Sequence, residues 1–149
     1  MSETLDVRRC TEDDLVEVAA LFERWQHEDA VWGLRAEPVE RLRTRMGEFF
    51  LVARSEGRVV GFAVGKVDRE PFCVFPAGES YLEIEDVYVA PEHRRRGVGA
   101  ALVESLLKAA EAGGIPRFHL YSASRDWQRS MRFYERFGFR VWSFQMFKK

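Results

Sequence analysis

The sequence predicts an α/β domain spanning residues 1–149, with a mixed, mostly antiparallel sheet and helices on both faces. Three observations predict it. Hydrophobic periodicity switches repeatedly between the strand and helix patterns, in the order β-α-α-β-β-β-α-β-α-β, with no repeat and no dividing linker. A composition 46% hydrophobic and 32% charged gives one chain of 149 residues a core of ordinary size. Finally, Tyr81–Gly114 couples a strand to a long helix through a tight glycine turn, and the strand beyond that helix returns parallel to the first.

The elements follow in order. Leu5 to Arg9 reads as a short strand, and Thr11-Glu12-Asp13-Asp14 as a helix start with a hydroxyl cap and acids in the first turn. Leu15, Val18, Ala19, Phe22 and Trp25 form that helix's buried stripe. Residues 26–38 are looser, and Val39–Met46 is a second short helix. Phe49–Arg54 and Arg58–Val67 are strands joined at Ser55-Glu56-Gly57, a hairpin turn. Asp68–Ser80, with Pro71, Pro76 and Gly78, is a long loop. Tyr81–Val89 is a β-branched and aromatic strand stopped at Pro91. From Gly97 the spacing turns helical through Leu102, Leu106 and Ala109, with Gly113 suited to the left-handed position after the helix. Arg117–Tyr121 is the parallel strand, Asp126–Phe137 an amphipathic helix ended by Gly138, and Phe139–Phe147 a closing strand.

Composition excludes several classes. With 23 Lys plus Arg against 24 Asp plus Glu, no global charge calls for nucleic acid or a membrane surface. No run approaches the roughly 20 apolar residues of a membrane span. Cys10 and Cys73 have no metal or redox spacing, so a reduced cytoplasm is the expected location. His27, His93 and His119 are scattered, and no metal is expected.

The chemistry concentrates at Arg94-x-x-Gly97-x-Gly99-Ala100, between strand and helix. A helix N-terminus offers about four unpaired N–H groups and roughly half a positive charge. Glycine lets those amides approach a phosphate, and Arg94, Arg95 and Arg96 add cationic forks. The third glycine of the dinucleotide motif and the Gly-Lys-Ser/Thr of the P-loop are both absent. On spacing alone, a plain strand-to-helix turn with a solvated arginine run remains open.

With Glu85-Asp86-Val87-Tyr88-Val89-x-Pro91 before it, this loop resembles the central motif of the GNAT superfamily of N-acetyltransferases. Phe133-Tyr134-Glu135-Arg136-Phe137-Gly138-Phe139 is similar to the superfamily's second, aromatic signature. The resemblance extends over nearly the whole chain. It implies a cytoplasmic acyltransferase using acetyl-coenzyme A as co-substrate and a primary amine as acceptor. The pyrophosphate would lie on Arg94, Arg95, Arg96, Gly97, Val98, Gly99 and Ala100. The backbone of Val87, Tyr88 and Val89 would bind the pantetheine arm, admitted by a V-shaped splay between the fourth and fifth strands. The family often has an asparagine seven residues before the tyrosine; Trp127 stands there, leaving Ser124 or Asp126 as stand-ins.

Acetyl transfer needs a neutral amine, and an alkyl amine is only about one part in two thousand neutral at pH 7. Glu83 and Glu85, two apart on the strand, share one face, and crowded carboxylates suit base work. Asp86 is expected to point the other way. Glu85, nine positions before Arg94, matches the family's catalytic glutamate, and Tyr134 its general acid. Trp25, Glu28 and Trp32, with Glu83, are the expected acceptor side, joined by Phe72, Phe75 and Trp142. Aromatics with acids suit an organic cation such as a polyamine, a lysine or an aminosugar. A small amine or aminosugar is the first expectation and a protein or peptide amine the second. A domain that senses acyl-coenzyme A without turnover would share the same cradle. Homodimers are common in the superfamily, which allows one here.

Overall fold

A computed structural model describes residues 4–149. Its sheet runs β1 (Leu5–Arg9), β2 (Phe50–Ser55), β3 (Arg58–Asp68), β4 (Tyr81–Val89) and β5 (Phe118–Leu120), side by side in that order. The first three pairings are antiparallel and β4–β5 is parallel, which makes the sheet mixed and open. β2 and β3 close through Glu56-Gly57, both left-handed (φ 51° and 76°), as a two-residue hairpin turn twisted to match its strands requires.

Helices cover both faces because β2 and β3 are apolar on both faces. On one side α1 (Leu15–Glu28) and α2 (Val39–Arg45) bury Leu15, Val18, Phe22 and Leu42 against Phe50, Val52, Phe62 and Val64. On the other, α3 (Val98–Ala112) sets Leu102, Leu106 and Ala110 against Leu51, Ala53, Leu82 and Ile84. The left-handed residue after α3 is Gly114 (φ +82°) rather than Gly113, whose φ is −86°. α4 (Trp127–Glu135) starts at Asp126, whose side chain accepts from the Arg129 amide at 3.2 Å. Among the described residues, no helix is long and apolar enough to cross a membrane.

The closing strand expected over Phe139–Phe147 does not form. Phe139 packs beside Phe118 and Tyr134, and the chain then runs irregularly, with Trp142 49% and Phe144 81% exposed. A strand needs a ladder as well as a pattern, and β5 pairs over only three residues.

Candidate active site

The site begins with an irregularity in β4. Val64 pairs with Asp86 and Gly65 with Ile84, so Glu85 is an extra residue opposite no partner, a β-bulge. Gly65 suits this point, because a Cβ there would lie 3.1 Å from the Leu82 side chain. The bulge reverses which residues face which helix layer. Leu82 and Ile84 before it, and Val87 and Val89 after it, all join the α3 core, while Tyr88 joins the α1 side. The expectation that Asp86 points away from Glu85 is therefore corrected. Both carboxylates reach one guanidinium, that of Arg45 on α2, at 2.6 Å for Asp86 and 3.4 Å for Glu85. Arg45 also holds Glu37 at 2.9 Å.

β5 pairs with β4 only as far as Ile84, so from Glu85 to Val89 the edge of β4 facing β5 has no strand neighbour. This is the splay. Beside it lies a cleft of about 370 Å³, walled by Glu37, Arg41 and Arg45 on one side and Lys66, Glu85 and Asp86 on the other. Tyr121, beyond the end of β5, lines it as well.

Two groups near the splay have shifted proton affinities. Burial pushes the Asp86 carboxyl above its ordinary range, and Arg45 works against that shift. Burial, reinforced by the negative charge of Asp86, pushes the Tyr134 phenol up to about 12, so it keeps its proton at neutral pH. Its neighbour Phe133 lies against the start of α3, where a Cβ on Gly99 would be 3.5 Å from the Phe133 ring.

The arginine loop starts with a 3-10 turn over Pro91–His93, and Arg95 (φ 64°) and Gly97 (φ 80°) are left-handed. Alternation of that kind gathers successive amides into an anion-binding concavity. α3 opens at Val98, and Ala101 is the first residue to donate back, to the Gly97 carbonyl at 3.0 Å, leaving Val98, Gly99 and Ala100 as first-turn donors. Arg94 is turned back instead: its Nε donates to the Val89 carbonyl at 2.9 Å and its Nη2 pairs with Glu28 at 2.8 Å.

The acceptor-side residues expected from the sequence do not converge on the cleft. Trp25 stacks on Tyr88 at 5.0 Å and packs with Phe22 and Phe62. Glu28 accepts from the Tyr88 hydroxyl at 2.5 Å besides holding Arg94. Trp32 lies under the Arg125 guanidinium, whose Cζ is 3.7 Å from the Trp32 ring centroid, and meets the Phe147 ring edge-on. Glu83 faces His119 across the β4–β5 pair, Oε1 to Nδ1 3.5 Å. Burial pushes the His119 imidazole down, with Glu83 opposing, and Phe72 covers its ring at 4.3 Å. Ser124 bridges to Val31, and Trp127 is 58% exposed. Arg45, Glu37, Arg41, Lys66 and Tyr121 were not singled out by the sequence reading, although Arg41 and Arg45 share a helix face four residues apart.

Comparison with known proteins places this architecture. Residues 12–139 match the model of the acetyltransferase (GNAT) family. A mycothiol acetyltransferase of Acidimicrobium ferrooxidans is 33% identical over 136 residues, covering 87% of this chain but 40% of that relative. An acetyltransferase of Yersinia pestis is 30% identical over 118 residues, 78% of this chain and 74% of its own. Among solved structures, an aminoglycoside N-acetyltransferase in complex with CoA superposes with TM-score 0.79 at 18% identity, covering 100% of this chain and 96% of that one. Glucosamine-6-phosphate N-acetyltransferase from Arabidopsis thaliana gives 0.73 at 20% identity, covering 99% of each chain. The chain belongs to the GNAT family of acyltransferases, whose acetyl donor is acetyl-coenzyme A.

Proposed function

We propose that this chain transfers the acetyl group of acetyl-coenzyme A to a small primary amine by direct attack. The carrying observation is the bulge, which turns Glu85 into the cleft at the point where β4 loses its neighbour. The residues present fit the coenzyme. Alternating left-handed Arg95 and Gly97, with the first-turn amides of Val98, Gly99 and Ala100, would hold its pyrophosphate, and Arg96 and Ser124 are further candidates. The unpartnered edge of Val87, Tyr88 and Val89 would hold the pantetheine arm, and an amide near Val87 would polarise the thioester carbonyl. Bound there, the coenzyme supplies the activated acetyl thioester.

Glu85 takes the proton of the incoming amine, directly or through one water. The amine nitrogen bonds to the acetyl carbon as the carbon–sulfur bond breaks, and Tyr134 gives its phenolic proton to the departing sulfur. The phenol's raised affinity keeps that proton available at neutral pH. An acceptor from the small amines or aminosugars suits a cleft near the lower end of the ~300–1,000 Å³ typical of ligand sites. The structural neighbours named for aminoglycosides and glucosamine 6-phosphate support an aminosugar within that class. A reducing cytoplasm as the working compartment agrees with free thiols at Cys10 and Cys73.

The test is thiol release from acetyl-coenzyme A across a panel of amines. Glu85→Gln and Tyr134→Phe are each expected to lower kcat by about 10²–10⁴-fold while leaving coenzyme affinity within a few-fold. Unchanged turnover in the double variant would overturn these roles, and coenzyme binding with no turnover of any amine would favour a sensing domain.

A further inference from the structure

The charges in the cleft are unevenly used. It holds three acids, Glu37, Glu85 and Asp86, and three cations, Arg41, Arg45 and Lys66. All three acids converge on Arg45, within 2.9, 3.4 and 2.6 Å respectively. Among the described residues, neither Arg41 nor Lys66 forms an ion pair. They approach from opposite walls, Arg41 one turn before Arg45 on α2 and Lys66 from β3, where it pairs across the ladder with Glu83. The cleft thus contains a carboxylate-rich floor centred on the bulge, and two cations on its walls that, among the described residues, no carboxylate holds in an ion pair.

We propose that the acceptor is zwitterionic: a primary amine whose own molecule carries a carboxylate or phosphate, the amine lying at Glu85 and the anion between Arg41 and Lys66. This rests on reading the cleft as the acceptor site. A guanidinium and an ammonium both suit oxyanions, the first as a fork and the second as a point charge. The same two cations repel a polyamine, whose extra positive charges would meet them without compensation, so the site selects by repulsion as well as attraction. That departs from the organic cation suggested by the aromatic segment Trp25–Trp32, whose side chains are engaged elsewhere.

Matched pairs of amines test this by thiol release: ethanolamine against 2-aminoethyl phosphate, glucosamine against glucosamine 6-phosphate, and glycinamide against glycine, with putrescine and spermidine as polycations. The expected result is a kcat/KM at least tenfold higher for the anionic member of one or more pairs, with polyamines poorest. Which pair responds says whether the anion is phosphate or carboxylate. In Arg41→Gln/Lys66→Gln the KM for the preferred anionic amine is expected to rise at least tenfold, collapsing the discrimination within its pair toward one. Equal rates within every pair, preference for a polyamine, or discrimination that survives in the double variant would overturn the proposal. Calorimetric titration of the same compounds into the coenzyme-loaded protein separates the two readings. Binding of an anionic amine that is lost in the double variant, with no turnover, would uphold the zwitterion site and overturn acetyl transfer. Absence of binding by every anionic amine would overturn the zwitterion site even if a neutral amine were acetylated.

Discussion

Two aspartates, the fully buried Asp14 and the partly buried Asp86, have arginine partners and oppositely shifted proton affinities. Asp14, at the start of α1, is 1% exposed and accepts from Arg8 (2.8 and 3.1 Å), from Arg54 (2.8 Å), and from the Thr11 amide and hydroxyl (2.8 and 3.1 Å). Burial opposes its charge, yet these donors hold its carboxyl below the ordinary range. Among the described residues Asp86 has one charged partner, Arg45, which it shares with two other carboxylates, and burial wins. The difference shows that the supply of donors, more than depth, fixes what a buried carboxylate does. Asp14 is a clasp joining β1, β2 and α1, whereas Asp86 is a charge left only partly compensated beside the splay, where it acts on Tyr134.

The comparison breaks most sharply at Asp14. Asp14→Ala leaves Arg8 and Arg54 facing each other without their shared acceptor. A loss of about 3 kcal/mol is expected, at the lower end for breaking a buried pair because Arg8 reaches water. For a chain of this length that lowers Tm by about 10 °C in a thermal melt. Asp86→Asn is expected to cost no more than about 1 kcal/mol, since burial already disfavours this charge and Arg45 keeps Glu37 and Glu85. Its signature is spectroscopic: an ultraviolet pH titration compared with wild type should show one phenol, Tyr134, titrating at lower pH once the Asp86 charge is gone. A Tyr134 unmoved by that substitution would uncouple the two groups.

The smallest effect is in the pH dependence of stability, where the two residues act with opposite sign. The folded pKa of Asp14 is lowered, so its contribution is present at neutral pH and is lost as pH falls from the unfolded value, ~3.9, through the folded one. The folded pKa of Asp86 is raised, so its ionisation detracts from stability as pH climbs from ~3.9 through the folded value. Urea midpoints between pH 3 and pH 6 should therefore rise less steeply with pH in Asp14→Asn than in wild type, and more steeply in Asp86→Asn.

Much of this was legible in the sequence because it is written locally. The hairpin at Glu56-Gly57, the stripe of α1, the strand–glycine–helix unit and the loop at Arg94–Ala100 each depend on a few neighbouring residues. The closing strand was not legible, because alternation over Phe139–Phe147 says nothing of whether β5 offers a long enough edge. Nor was the charged cleft, because Arg45 meets Asp86 across 41 positions and only the docking of α2 on the sheet brings them together. Trp25 and Glu28 sit in a segment whose composition suggested a binding wall, and folding spends them on Tyr88 and Arg94. The bulge did leave a trace: Glu85 and Asp86 are adjacent polar residues that end the alternation of Leu82-Glu83-Ile84-Glu85.

That one extra residue also sets the mutational grammar of β4. Counted by twos from Leu82, the positions intolerant of charge would run through Asp86 and Tyr88 to the end of the strand. With the count reset at Glu85, those facing α3 are instead Leu82, Ile84, Val87 and Val89. A saturation scan of the strand would thus show two period-two patterns out of phase. Deleting Glu85 would merge them into a single frame in which Leu82, Ile84, Val87 and Val89 still face α3 and Asp86 and Tyr88 still face the other layer, so the core pattern would survive while the proposed base is lost.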